Sequence, residues 1–148
     1  KMPFIRVFEV ATFYTMYNLA PIGKYHIQIC GTTPCMLCGS DDIIKACRDE
    51  LGLKIGETSD DMKFTLTELE CLGACANAPM IQITTTEWDH YFEDLNYERM
   101  IALLKQLKKD EMPTIGSQVG RFSSEPIEGP TSLMDKSAYE KLKKKVAG

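Results

Sequence analysis

Two groups of cysteines limit what this 148-residue chain can fold into more than any other feature of its sequence. The first group places four cysteines in the stretch CGTTPCMLCGSDDIIKAC, and the second places Cys71 and Cys75 in ECLGACANAPM. Each group directly follows a stretch typical of a β-strand, KYHIQIC and KFTLTELEC. Six cysteines are too few for a disulfide scaffold in a chain of this length, so their clustering indicates metal or redox chemistry.

The spacing of these thiols is compatible with several chemistries. A [2Fe–2S] centre needs four protein thiolates, which one pair from each group would supply, although four thiolates also suit zinc. Cys30, Cys35 and Cys38 alternatively have the C-x4-C-x2-C spacing that opens a plant-type [2Fe–2S] loop, which makes one downstream cysteine redundant. Cys35 and Cys38 are also a C-x-x-C pair between a strand and a helix, as in thiol–disulfide oxidoreductases. The last interpretation explains fewer residues, because it leaves three other cysteines without a role.

The pattern of strands and helices within residues 23–110 predicts an α/β fold. KYHIQIC, KFTLTELEC, MIQIT and HYFEDL are typical of strands. SDDIIKACRDELG predicts a helix with Ser40 as its N-cap and an end at Gly52, and Asn96 is a cap for the helix YERMIALLKQLKKD. The order strand, helix, strand, strand, strand, helix predicts a mixed sheet of about four strands flanked by helices. Cys47 falls on the helix face that must pack on the sheet, so we expect a buried structural thiol there.

The two ends of the chain have a different composition from this central domain. Apolar side chains recur at near-helical spacing up to about Thr12, so residues 1–22 are interpreted as the end of an N-terminal helical segment whose upstream part is absent. Residues 111–148 are rich in Gly, Pro and Ser and lack periodicity, which predicts an extended C-terminal tail. Within the tail, YEKLKKK predicts a frayed helical end with solvated lysines.

Composition and motifs exclude several classes of function. A net charge of −4 gives no basic footprint for nucleic acid, and no apolar run approaches the roughly 18 residues that a membrane span needs. The sequence has no phosphate-cradling glycine loop and no dinucleotide fingerprint. These observations predict no independent catalytic site and no nucleotide-binding site in this chain.

Several longer segments of the sequence resemble the thioredoxin-like [2Fe–2S] subunit of respiratory complex I, NADH:ubiquinone oxidoreductase. They are EVATFYTMYN, GKYHIQICGTTPCML, FTLTELECLGACANAPM and YFEDL, and the similarity runs in order from about Arg6 to Leu133. The resemblance implies a thioredoxin-like [2Fe–2S] ferredoxin fold. It also implies an electron-transfer role in which the cluster exchanges one electron with the flavin of the NADH-binding subunit.

The resemblance further implies a ligand set and partners. One [2Fe–2S] cluster would be ligated by Cys30, Cys35, Cys71 and Cys75, one pair to each iron. This sequence departs from the family pattern at position 38, where relatives tend to carry arginine instead of Cys38. The implied partners are the subunit that binds FMN and NADH and the large iron–sulfur subunit of the NADH module. The implied location is the peripheral arm on the matrix side of the mitochondrial inner membrane, with the bacterial cytoplasmic side as the alternative. A thiol–disulfide oxidoreductase using Cys35 and Cys38 and a zinc-stabilised scaffold remain the alternative functions.

Overall fold

A mixed β-sheet forms the centre of the computed structural model, which describes residues 1–129 together with Asp135, Ser137, Glu140 and Lys141. Its five strands have the spatial order β2-β1-β3-β4-β5. Their bounds are β1 Tyr25–Cys30, β2 Phe64–Leu69, β3 Ile81–Thr84, β4 Asp89–Glu93 and β5 Gly116–Ser117. β1 is parallel to β2 and antiparallel to β3, while β4 is antiparallel to β3 and parallel to β5. The predicted mixed sheet is confirmed, with one strand more than the sequence pattern indicated.

Two helices cover one face of this sheet. In the described part of the chain the α-helices are α1 Phe4–Phe13, α2 Thr33–Leu37, α3 Ser40–Leu51 and α4 Tyr97–Lys108. The buried residues of α3 and α4 form one core with alternate residues of the strands, such as Ile27 and Ile29 of β1. The period-2 pattern of β1 therefore sorts its apolar side chains onto the helix-covered face.

The ends of the two core helices test the predicted caps. Asn96 caps α4, since its side chain accepts a hydrogen bond from the backbone N–H of Arg99 at 2.9 Å. α3 ends at Gly52, as predicted, with a left-handed φ of +72°. Ser40 as the N-cap of α3 is wrong, because it is the buried first residue of the helix and Gly39 is the cap. Gly39 has φ +102°, a conformation that glycine adopts without strain and that allows α2 and α3 to follow one another directly.

The N-terminal helix α1 agrees with the helix predicted to end near Thr12. None of its residues is buried, and Phe4, Phe8 and Phe13 are among its exposed apolar side chains. None of the helices in the described chain has both the length and the apolar content needed to cross a membrane. The division of the chain into three parts at residues 22 and 110 stays a prediction.

Residues 111–129 contact the domain more closely than an extended tail would. Gly116–Ser117 forms β5 beside β4, and the N–H of Gln118 donates to the carbonyl of Glu93 at 2.9 Å. A two-residue strand leaves no periodicity in the sequence, which explains why the pattern missed it. The predicted helical end YEKLKKK lies mostly outside the described residues.

The loop before β2 folds back along the outer edge of that strand. The N–H groups of Gly56 and Ser59 donate to the carbonyls of Leu66 and Phe64 at 2.7 and 2.8 Å, and Leu66 N–H donates to the carbonyl of Glu57 at 3.0 Å. The outer edge of β2 is therefore already hydrogen-bonded.

Cys47 lies in the core with no exposed surface, which confirms the predicted buried thiol. Burial raises the pKa of this thiol from 9.0 to about 12. The unfolded chain would lose this proton near pH 9 while the folded chain keeps it, so folding stability falls as pH rises from 9 toward 12. We expect this loss to reach at most about 1.4 kcal/mol per pH unit.

Cys47→Ala should cost about 1 kcal/mol at neutral pH and flatten the decline above pH 9. Denaturant unfolding at several pH values measures both effects, and parallel stability curves for the two chains would contradict the assignment.

Candidate metal centre

The two cysteine groups meet at the carboxyl ends of two neighbouring strands. β1 and β2 are parallel, and their last residues, Cys30 and Leu69, are partners in the register. The loops that follow parallel strands leave from the same edge of a sheet. The first loop leads into α2, and the second carries Cys71 and Cys75 before the chain returns in β3.

The short helix α2 determines which thiols of the first group face inward. Pro34 lies in its first turn, where the fixed φ of proline suits a helix start and the missing N–H costs nothing. Cys35 is completely buried, whereas Cys38, the C-cap of α2, is exposed. The sequence pattern did not predict α2, although Thr-Pro directly before Cys35 is a recognisable start signal. The C-x-x-C pair therefore consists of one buried and one exposed thiol.

Cys30 and Cys35 lie in a small apolar cluster apart from the main core. Met80 is buried with them, and Leu72 and Ala74 of the second loop pack against the cluster. Burial, together with a hydrogen bond with Cys30, raises the pKa of the Cys35 thiol to about 12, while the backbone of Met80 acts in the opposite direction. Metal binding would displace this proton, because the cation favours the thiolate.

Cys71 and Cys75 form a second pair, which is exposed to solvent. Their Sγ atoms are 3.9 Å apart. The backbone N–H of Gly73 donates to Cys71 Sγ at 3.4 Å. Gly73 has φ +82°, a left-handed conformation that favours glycine. A hydrogen bond with Cys71 raises the pKa of Cys75, and the charge of Cys30 adds to this shift. The two pairs are thus close enough to affect one another electrostatically.

This donor set fits a [2Fe–2S] cluster. Each iron of such a cluster takes two protein thiolates besides the bridging sulfides, so two pairs on two loops supply the number required. Gly73 N–H points at a sulfur, as suits a group that becomes more negative on reduction. Among the described residues, no three His, Cys, Asp or Glu side chains gather around one metal position. The thiols instead lie as two separate pairs, Cys30 with Cys35 and Cys71 with Cys75, and Cys38 lies outside both.

Tyr91 fixes the second loop and was not found from the sequence. Its hydroxyl donates to the carbonyl of Leu72 at 2.8 Å, between the two cysteines of that loop. The bond joins one residue of β4 to one backbone oxygen and leaves no sequence pattern.

We expect Tyr91→Phe to cost about 1 kcal/mol of stability and to speed the release of bound iron to a chelator, because the loop loses this bond. Tyr97→Phe is the matched control, since the hydroxyl of Tyr97 bonds Asp49 between α4 and α3 at 2.9 Å. Equal release rates for the two variants would show that Tyr91 has no special effect on the loop.

Similarity to known families and proteins covers most of the chain. The profile of a family described as thioredoxin-like [2Fe-2S] ferredoxin matches residues 1–108. The chain is 58% identical over 109 residues to an NADH-quinone oxidoreductase subunit of Rickettsia conorii, which covers 74% of this chain and 63% of that protein. For the corresponding protein of Rickettsia prowazekii the identity is 59% over 106 residues, covering 72% and 58%. The chain therefore spans about three fifths of the length of these relatives.

The fold is also similar to part of a solved enzyme structure. A crystal structure of an NAD+-reducing [NiFe]-hydrogenase in the air-oxidised state superimposes with a TM-score of 0.65. The superposition covers 76% of this chain and 19% of that chain, at 18% sequence identity. The superposition shows a common fold, and at 18% identity it shows the fold alone.

Proposed function

Because the chain belongs to the thioredoxin-like [2Fe-2S] ferredoxin family, we propose that it carries one [2Fe–2S] cluster on Cys30, Cys35, Cys71 and Cys75 and serves as an electron carrier. The observation that carries this proposal is the presence of two thiol pairs on loops that leave the same end of the parallel strands β1 and β2. When bound, the cluster supplies one-electron redox chemistry. The protein supplies its ligands and its surroundings.

The surroundings of the two pairs differ, and this difference supports an electron-transfer role. Cys30 and Cys35 are buried beside Met80, so this pair has almost no surface exposed to water. Cys71 and Cys75 are exposed, so this side of the site can approach a redox partner. A cluster with one dry side and one accessible side can be held firmly and still exchange electrons across a protein surface.

We propose that this redox partner is the flavin of an NADH-binding subunit, within an NADH:quinone oxidoreductase. The names of the Rickettsia relatives and of the NAD+-reducing hydrogenase support an association with NADH oxidation. FMN and NADH would bind to the partner subunit, and the large iron–sulfur subunit of the NADH module would be a second neighbour. The chain would then lie in the peripheral arm of that complex. The relatives named above are bacterial and agree with the bacterial cytoplasmic side, while the mitochondrial matrix side stays a prediction.

Anaerobic purification of the chain tests the proposed cofactor. We expect two irons and two acid-labile sulfides per chain, a visible absorption spectrum of the [2Fe–2S] type, and an EPR signal after one-electron reduction. Mixing with the flavin-binding subunit and NADH should then reduce the cluster on a rapid-mixing timescale. A colourless zinc protein would instead support a scaffold, and a chain that reduces insulin disulfides would support the Cys35/Cys38 oxidoreductase.

A further inference from the structure

We infer that residues 116–123 form a strap that holds the second cysteine loop in place, with Arg121 as its positioning residue. This inference rests on the proposed function in one respect, that Cys75 is an iron ligand. The strap begins with β5 at the edge of the sheet and passes beside the 3-10 turn Cys75–Asn77.

The guanidinium of Arg121 joins the end of β4 to the cysteine loop. Its Nη2 atom lies 2.7 Å from Asp94 Oδ1, and its Nη1 atom donates to the carbonyl of Ala76 at 3.0 Å and to Asn77 Oδ1 at 3.3 Å. The Arg121 and Asp94 side chains are only 10% and 6% exposed. Ala76 follows Cys75 directly, so one contact of this buried cation lies one residue from a proposed ligand.

Asn77 completes the attachment from the side of the loop. The residue is 2% exposed, and its Nδ2 atom donates to Glu93 Oε2 at 2.5 Å and to the carbonyl of Ser123 at 2.9 Å. The carbonyl of Asn77 accepts from the N–H of Asp94 at 2.8 Å. Bonds from β4 and from the strap therefore hold the turn that follows Cys75 at two sides.

The strap itself is fixed by the other oxygen of the same carboxylate. Ser117 Oγ donates to Asp94 Oδ2 at 2.5 Å, and the N–H of Arg121 donates to Ser117 Oγ at 3.2 Å. Asp94 thus binds the strap at both its start and its middle. A buried carboxylate that is bonded in this way holds its partners in one geometry.

The geometry requires the planar fork of arginine. One nitrogen of the guanidinium faces a carboxylate while another faces two oxygens of the loop, and the single nitrogen of an ammonium group does not reproduce this fixed spacing of donors. Lysine at this position would keep the charge near Asp94 and lose the contacts with the loop. The conservative replacement therefore separates positioning of the loop from charge compensation.

The test uses Arg121→Gln and Arg121→Lys in the 148-residue chain, with Lys63→Met as the matched control. Lys63 also makes an ion pair, with Asp110, but this more exposed pair lies beside the amino-terminal start of β2, at the opposite end of the sheet from the cysteines. Amide hydrogen exchange of the cluster-free chain and iron release from the loaded chain to a chelator are the two measurements.

We expect both Arg121 variants to raise amide exchange within residues 71–77 and to speed iron release by about tenfold or more, while exchange within α3 stays near its wild-type rate. Lys63→Met should leave the exchange of residues 71–77 and the rate of iron release near their wild-type values. Equal loop exchange and release in Arg121→Lys and wild type would overturn the positioning role, as would a rise spread evenly over the sheet. If Arg121→Gln does not fold, Arg121→Lys and Ser117→Ala decide by the same criteria. A wild-type chain without two irons would refute the proposed function, whereas the exchange of the cluster-free loop would still decide the role of Arg121.

Discussion

Replacing any one of Cys30, Cys35, Cys71 or Cys75 by alanine is expected to reduce the iron content of the chain from two atoms to nearly none. Each iron depends on two protein thiolates, and the loss of one opens its coordination to solvent. The loss should be as complete for the exposed pair as for the buried pair, because both irons share the bridging sulfides. Iron and sulfide analysis with EPR of the reduced protein measures this effect.

The other two cysteines provide the controls for this series. Cys47 is buried in the main core and Cys38 is exposed at the end of α2, so Cys47→Ala and Cys38→Ser should retain both irons. One result would reverse the ligand assignment. If Cys38→Ser loses the cluster while the alanine variant of Cys71 or Cys75 retains it, the plant-type set of ligands is correct.

Phe92→Ala should cause the largest loss of stability from a single core position, about 3–5 kcal/mol. The Phe92 side chain is completely buried, lies opposite Ile81 of β3 in the register, and belongs to the core that also contains Leu104 of α4. Alanine would leave a cavity between the sheet and the helices that cover it. Denaturant unfolding of the chain measures the cost.

Phe4→Ala is the matched control for this truncation. The same number of atoms is removed from α1, where Phe4 is 82% exposed, so the expected cost is below about 0.5 kcal/mol. A loss of several kcal/mol from Phe4→Ala, or a negligible loss from Phe92→Ala, would mean that the core has been placed wrongly.

The central elements were predictable because local signals determine them. The period-2 spacing of apolar residues in β1 and caps such as Asn96 and Gly52 act within a few residues. The structure places Ile27 and Ile29 of β1 in one core and has both caps. The short helix α2 and its junction at Gly39 were missed, since they depend on one proline and one left-handed glycine rather than on a periodic pattern. The start of α3 was misplaced by one residue for the same reason.

The candidate site was predictable to a different extent. Spacing alone left several ligand sets open, and the set Cys30, Cys35, Cys71 and Cys75 was implied by the resemblance to a family and stays a prediction. Tyr91, Asp94 and Arg121 were not found, because each is a single residue that acts over a long separation in sequence. Their contacts exist only once the sheet has formed, so neither composition nor periodicity records them.

The loop along the outer edge of β2 protects this edge against pairing with a strand of another molecule. An unpaired strand edge is a template for the addition of a strand from another molecule, which leads to aggregation. Here the loop residues Gly56, Glu57 and Ser59 already occupy backbone groups of β2, while β5 pairs with the end of β4 at the other side. A second copy would have to displace the loop bonds before it could extend the sheet at β2. The exposed apolar side chains of α1 therefore offer a more accessible surface for self-association of the free chain than the β2 edge does.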